Sequence, residues 1–311
     1  EDEKTLFYVK LDDNLRPWCV MAHDLIQKTT DRDSVVLEES DPKYFVNLLQ
    51  MKDPQFVGVS LSAKQSFRLS MIHKNNGTGD LKGQYSHFEV ANETDFIVSC
   101  QKVKKGIVLI QQQPHETSVL FVSHEDFVRG LEEARRVDQT ISSGDKTGGR
   151  LETFFKSKKI YSVPGDTLLT ECDVFEESVV LYLSSGLRPS IAQISLTDFC
   201  VNNITLDQKG KKVYGALLPA GNMYSSSDAC NAFLDTPFDY NVPLKINLRS
   251  GGCLFEFPDK PLTRDRSLDK SNYAITPLEA PSRDGKLIKV MCVHSKDVDV
   301  HNPRVQSKCL M

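Results

Sequence analysis

The feature that most constrains this chain is a recurring one: short runs dense in β-branched and aromatic residues, each bounded by turn-forming residues. In the first half they fall at Leu6 to Val9, Ser34 to Leu37, Phe56 to Leu61, Phe67 to Ile72, His87 to Val90, Phe96 to Cys100, Gly106 to Ile110 and Ser118 to Val122. Such runs fit pleated, half-buried strands, and in Phe67-Arg-Leu-Ser-Met-Ile the alternate positions are apolar, the period of a strand wet on one face. The spacing predicts an all-β barrel or sandwich.

One helix interrupts the pattern. Ser123 followed three residues later by Asp126 makes a capping box, and Phe127, Leu131, Ala134 and Val137 trace one apolar stripe. The stripe is expected to close the first module by packing across its wall.

The polar, glycine-rich stretch Thr140 to Gly149 then reads as a linker. Strand patterns resume at Leu151 to Phe155, Lys159 to Val163, Thr167 to Cys172, Ser178 to Leu183, Ile191 to Ser195, Phe199 to Leu206, Lys212 to Leu217, Pro243 to Leu248, Cys253 to Phe257 and Leu287 to His294. A helical turn is expected at Asp228 to Leu234, and Pro258 to Gly285 reads as a long irregular loop. The expected architecture is mainly β: a barrel or sandwich over residues 1–139 ending in the amphipathic helix, a linker at 140–150, and a disulfide-rich β module over 151–311. At 311 residues, core size is not limiting.

Eight cysteines, an even number, set the expected compartment: Cys19, Cys100, Cys172, Cys200, Cys230, Cys253, Cys292 and Cys309. None forms a C-x-x-C group or has a histidine at ligand spacing, which argues against zinc and iron–sulfur sites and implies no metal or other cofactor. Two precede position 150 and six follow it, so each half can close its own bridges. That predicts Cys19 paired with Cys100, leaves 15 connectivities among the other six, and ties the tail down through Cys309.

Three N-x-[ST] sequons, at Asn76, Asn92 and Asn203, point the same way, since such sites are glycan acceptors on exposed segments of the secretory route. Asn76 and Asn92 lie in turn-like sequence, whereas Asn203 lies in a more apolar stretch. The chain opens on Glu1-Asp2 with no charged-then-apolar leader, as expected of a mature product whose signal peptide is gone.

No G-x-S-x-G elbow, H-E-x-x-H motif, P-loop or EF-hand loop occurs, so no catalytic residue is assigned. The net charge of -4 is spread along the chain, which argues against a nucleic-acid partner, and no apolar run is long enough for a membrane-spanning helix. Lysines grouped at Lys102/Lys104/Lys105, Lys156/Lys158/Lys159 and Lys209/Lys211/Lys212 read as strand-edge protection, or as a surface for sulfated glycans or acidic lipid headgroups if they meet. Aromatic residues Phe233, Phe238 and Tyr240 on one loop are the expected interface anchors.

These features together predict a non-enzymatic extracellular glycoprotein, secreted or a cell-surface ectodomain, that binds a protein partner. Eight strands followed by one helix also resembles the order of an up-and-down barrel of the lipocalin type. The Gly-x-Trp opening of that family is missing, Trp18 following Pro17. That resemblance implies the alternative, a secreted carrier of a small apolar ligand.

Overall fold

The computed structural model describes residues 4–26, 33–64, 66–74, 85–91, 97–140, 156–208, 211–255 and 269–302. The chain is mainly β with one α-helix, and it divides into two compact units, Glu1–Val163 with Val174–Glu176, and Pro164–Asp173 with Glu177–Met311. In every sheet, strands pair with their neighbours in sequence.

The first unit holds three sheets: β1 (Thr5–Leu11), β2 (Pro17–Asp24) and β3 (Ser34–Glu38); β4 (Phe45–Gln50), β5 (Phe56–Ser62), β6 (Phe67–Lys74) and β7 (Tyr85–Ala91); and β8 (Ile97–Val103), β9 (Gly106–Gln113), β10 (Glu116–Ser123) and β11 (Lys158–Ser162). Two cores explain their order. Val20, Leu37, Tyr44, Val46, Val59, Leu61 and Ile72 join the first sheet to the second. Phe56, Leu69, Met71, Val90, Cys100, Ile107, Val122 and Phe127 join the second to the third. On β6, Leu69 and Met71 serve one core while Ile72 serves the other, as a period of two requires when both faces are covered.

The predicted helix forms as α1 (His124–Thr140). Its cap is the expected one, with the Asp126 N–H donating to Ser123 Oγ at 3.1 Å and the Ser123 hydroxyl donating to Asp126 Oδ2 at 2.8 Å. Phe127 is fully buried between the rings of Phe56 and Phe88, at 5.5 and 5.8 Å, with Leu131 packed on the same core.

The second unit contains β12 (Leu168–Val174), β13 (Ser178–Ser185), β14 (Arg188–Ser195) and β15 (Val201–Thr205) as one sheet, and the small pair β16 (Asp207–Gln208) and β17 (Lys211–Lys212). A further sheet contains β18 (Ala216–Pro219), β19 (Ala229–Asp235), β20 (Val242–Asn247) and β21 (Cys253–Phe255), and a hairpin joins β22 (Tyr273–Pro281) to β23 (Leu287–Ser295). On β20, Val242, Leu244 and Ile246 point inward while Pro243, Lys245 and Asn247 face out.

Several expectations need correction. The strands of the first half are divided among three open sheets, and no sheet is closed, so the lipocalin-like barrel is not formed. Strands β2 and β4 are additional to the expected runs; Trp18 to Ala22 in β2 is a continuous apolar run without alternation. The strand read as Lys159 to Val163 pairs with β10, in register Val119 to Tyr161. Asp228 to Leu234 is strand β19, paired on both sides, rather than a helical turn. Within the expected irregular loop, Tyr273–Pro281 is a strand, and its prolines are tolerated because the hairpin has free edges. The expected strand at 151–155 and most of the expected linker, 141–150, lie outside the described residues.

Candidate functional site

Covalent or acid–base chemistry needs a nucleophile, a base within hydrogen-bond reach and a group that orients the base. Three polar clusters come nearest to that requirement; one of them is on the β22–β23 pair, where Thr276 Oγ1 lies 2.9 Å from His294 Nε2 and the Ser295 carbonyl lies 2.8 Å from His294 Nδ1, with no carboxylate among these contacts.

Another lies on the sheet β1 to β3. Register places Tyr8 opposite Met21 and Leu6 opposite His23, so Tyr8 and His23 share the face that does not join the Val20 core. Asp33, just before β3, takes both: the Tyr8 hydroxyl donates to Oδ2 at 2.6 Å, and His23 Nδ1 lies 2.7 Å from Oδ1. Burial opposes ionisation of Asp33, yet the bonds from Tyr8 and His23 hold its carboxyl below its ordinary range. In return the hydrogen bond to that carboxylate, with burial, pushes the Tyr8 phenol up to about 12. An oriented base is therefore present. Among the described residues, however, no serine, threonine or cysteine is hydrogen-bonded to His23, so the cluster lacks a nucleophile.

The third cluster is buried in the other unit. The Tyr182 hydroxyl donates to Asp173 Oδ2 at 2.9 Å and lies 3.1 Å from Cys230 Sγ. The Asn222 amide donates to Asp173 Oδ2 at 2.7 Å and to the Asn231 carbonyl at 2.8 Å, and accepts from the Asn231 N–H at 2.8 Å. Burial first, then the neighbouring Cys230 and Asp173, push the Tyr182 phenol far up. Tyr182 and Cys230 are fully enclosed, so this network fastens β12, β13 and β19 rather than meeting a substrate.

A cavity of about 360 Å³ opens in the second unit, walled by Gly186, Arg188, Lys212, Tyr214, Leu278 and Lys289. Arg188 is engaged by Asp207 at 3.2 Å, and Glu279 also borders the space. Its wall can attract an acidic group but brings no reactive pair together. Among the described residues, no group of three or more His, Cys, Asp or Glu is gathered to hold a metal. No described helix is long and apolar enough to cross a membrane.

The residues singled out from sequence are scattered. Asn203 is exposed on β15, while Asn76, Asn92 and Cys309 lie outside the described residues. Phe233 is half-buried on β19, Phe238 rests against Tyr273 with ring centroids 6.3 Å apart, and Tyr240 is exposed.

No disulfide joins any two of the described cysteines. Cys19 is a buried thiol 3.5 Å from Met21 Sδ, and Cys100 fills the core beneath α1, so the expected Cys19 to Cys100 bridge is absent. Even number and even division are arithmetic; buried cysteine also serves as a small apolar filler.

Lys102, expected at an exposed strand end, is instead fully enclosed. Its ammonium meets Asp53 Oδ2 at 3.1 Å and lies 5.3 and 5.6 Å from the ring centroids of Phe56 and Phe127. No sequence signal marks it; only the turn at 51–55 folding back onto β8 does.

No protein-family model matches the chain, and none of the curated proteins matches it. Solved structures do. Oligopeptidase B from Trypanosoma brucei, with antipain covalently bound, matches 97% of this chain and 39% of its own, at 11% identity and a TM-score of 0.69. Prolyl oligopeptidase B from Galerina marginata matches 96% of this chain and 37% of its own, at 13% identity and a TM-score of 0.67. One of two prolyl endopeptidases studied for the role of inter-domain dynamics in catalysis and specificity matches 96% and 39%, at 14% identity and a TM-score of 0.65.

The chain thus spans about two-fifths of the length of the peptidases it resembles. The described residues contain no α/β-hydrolase domain. The expectation of a secreted or cell-surface glycoprotein, as partner-binding ectodomain or as ligand carrier, is overturned by this likeness to peptidases, and the described cysteines form no disulfide. In fold, the chain resembles the β-propeller domain of prolyl oligopeptidases.

Proposed function

We propose that this chain is the non-catalytic propeller module of a peptidase-like protein, a scaffold on which a separate catalytic domain is mounted. The observation that carries this reading is the unequal coverage: nearly all of this chain aligns, against 39% of the Trypanosoma brucei oligopeptidase. The polar clusters support it: His23, oriented by Asp33, has no hydroxyl or thiol bonded to it among the described residues, and His294, which meets the Thr276 hydroxyl, is backed by the Ser295 carbonyl rather than by a carboxylate. The chain's contribution is then positional, holding and moving against the catalytic domain.

The test compares the purified chain with the native polypeptide isolated by antibodies against it, using fluorogenic oligopeptides. The chain alone is expected to cleave none, and the native polypeptide to cleave them and be blocked by antipain. Cleavage by the chain alone, or an inert native polypeptide, overturns the reading.

A further inference from the structure

The cavity of about 360 Å³ in the second unit is built by three separate pieces of chain. The turn between β13 and β14 supplies Gly186 and Arg188, β17 and the residues after it supply Lys212 and Tyr214, and the hairpin β22–β23 supplies Glu279 and Lys289. The turn is held in one conformation. Gly186 and Leu187 are both left-handed, at φ 57° and 71°, as a two-residue hairpin turn requires. A bulky residue such as Leu187 keeps that backbone only where its surroundings enforce it. The Gly215 N–H does so, donating to the Leu187 carbonyl at 3.2 Å and tying the segment of Tyr214 to the turn of Arg188.

Charges on this wall are left uncompensated by the chain itself. Glu279 and Lys289 stand opposite each other in the ladder, the placement in which opposite charges normally pair, yet no ion pair joins them. The Lys289 side chain runs to the β13–β14 turn instead. A Cβ on Gly186 would lie 2.8 Å from its Nζ and 3.0 Å from its Cδ, so glycine is what leaves room for it.

Among the described residues Lys212 has no anionic partner either, although Asp207 faces it across β16–β17. That carboxylate takes Arg188, and through one terminal nitrogen only, at 3.2 Å. Arg188 Nε is shut off from solvent and, among the described residues, bonded to nothing. Three cations from three elements thus border one space, with a single neighbouring carboxylate engaged by one of them. Like charges gathered without counter-ions, beside a buried donor left unsatisfied, are a standing cost that a bound anion removes.

We propose that this cavity binds a small phosphate monoester whose organic part carries hydroxyl groups. A phosphoryl group has three terminal oxygens and about 1.5 to 2 negative charges at neutral pH, which suits one donor from each of Arg188, Lys212 and Lys289. A carboxylate has only two oxygens and a single charge. Glu279 disfavours a bare anion but accepts from a hydroxyl of the organic part, and the Tyr214 hydroxyl, without a partner among the described residues, is a second contact for it. The volume falls toward the small end of ligand sites, which excludes a large ligand.

Calorimetric titration of the purified chain with glycerol 3-phosphate, inorganic phosphate, glycerate and glycerol tests this. Glycerol 3-phosphate is expected to bind saturably and about tenfold tighter than inorganic phosphate, with glycerate and glycerol weaker than either. Lys212→Gln and Lys289→Gln are each expected to weaken both phosphates about tenfold, as loss of a charge-assisted hydrogen bond does. Glu279→Gln is expected to abolish the preference for glycerol 3-phosphate while inorganic phosphate binds no worse. Because neither lysine is buried or paired, the ligand-free melting temperature of both lysine variants should stay level or rise.

Absence of saturable binding overturns the proposal, as does glycerate binding as tightly as glycerol 3-phosphate. Equal weakening by Lys10→Gln with Lys64→Gln, two lysines of the first unit, also overturns it, since net charge and not the cavity is then responsible. A lowered melting temperature in either cavity variant overturns it too, because the lysine then serves the fold.

Discussion

Removing the partner of Lys102 measures how much the first unit depends on one enclosed charge. In Asp53→Ala the ammonium keeps only the Val103 carbonyl and the faces of Phe56 and Phe127. An enclosed charge deprived of its counter-ion costs about 3–5 kcal/mol. The two rings, each within the ~6 Å reach of a cation–π contact, offset part of this, on the order of 1 kcal/mol. A net loss of about 3 kcal/mol is expected, including the loosened grip of the 51–55 turn, whose Gln55 N–H donates to Asp53 Oδ1 at 3.1 Å.

Trp18, the single tryptophan, lies in the same unit, so its fluorescence reports urea unfolding there. With a slope of about 2 kcal/mol/M, the midpoint falls by about 1.5 M. Lys102→Met removes the charge and keeps the volume, so adding it to Asp53→Ala is expected to recover most of the loss. A cost under about 1 kcal/mol for Asp53→Ala, or simple additivity of the two substitutions within the ~0.5 kcal/mol seen for independent sites, refutes the counter-ion role of Asp53.

Three further outcomes follow from the geometry. Asp33 sits below its ordinary value near 3.8 in the folded chain, so the stability it gives is present above that value and lost as pH falls through the folded pKa. Asp33→Asn should therefore flatten the acid limb of the Trp18 unfolding profile, and an unchanged limb counts against the Tyr8 and His23 bonds. A Cβ at Gly106 would lie 2.1 Å from the Val122 carbonyl and 2.8 Å from the Phe121 ring, so Gly106→Ala should cost about 1–3 kcal/mol in the same urea assay. Cys200 is exposed, and its hydrogen bond to Asp198 and that carboxylate's charge hold its thiol above the ordinary range. Asp198→Asn should speed its labelling by Ellman's reagent, while Cys19 should react only after unfolding; slower labelling of the variant refutes the assignment.

Much of the fold was legible because strand formation is local. Phe67-Arg-Leu-Ser-Met-Ile alternates, Ser123 caps α1, and the structure keeps both. The division into separate sheets was not legible, because a strand's own residues say which side is apolar and not which neighbour covers it. Strand β6 shows this, dividing Met71 and Ile72 between two cores. The Tyr8, His23 and Asp33 cluster joins residues up to 25 positions apart and needs the register of β1 on β2, a strand hidden in an unbroken apolar run. Lys102 and the cysteines misled for the same reason: residue type suggested exposure or bridging, and burial decided otherwise.

Strand β11 arrives late. Other strands have a partner within a turn or short loop of themselves, so their sheets can assemble as the chain leaves the ribosome. The third sheet cannot finish that way, because its edge waits for α1 and the stretch after it to be synthesised before Tyr161 meets Val119. Lengthening that stretch costs little closure entropy, only about 0.6 kcal/mol per doubling, so sequence can be inserted there while the sheet still closes.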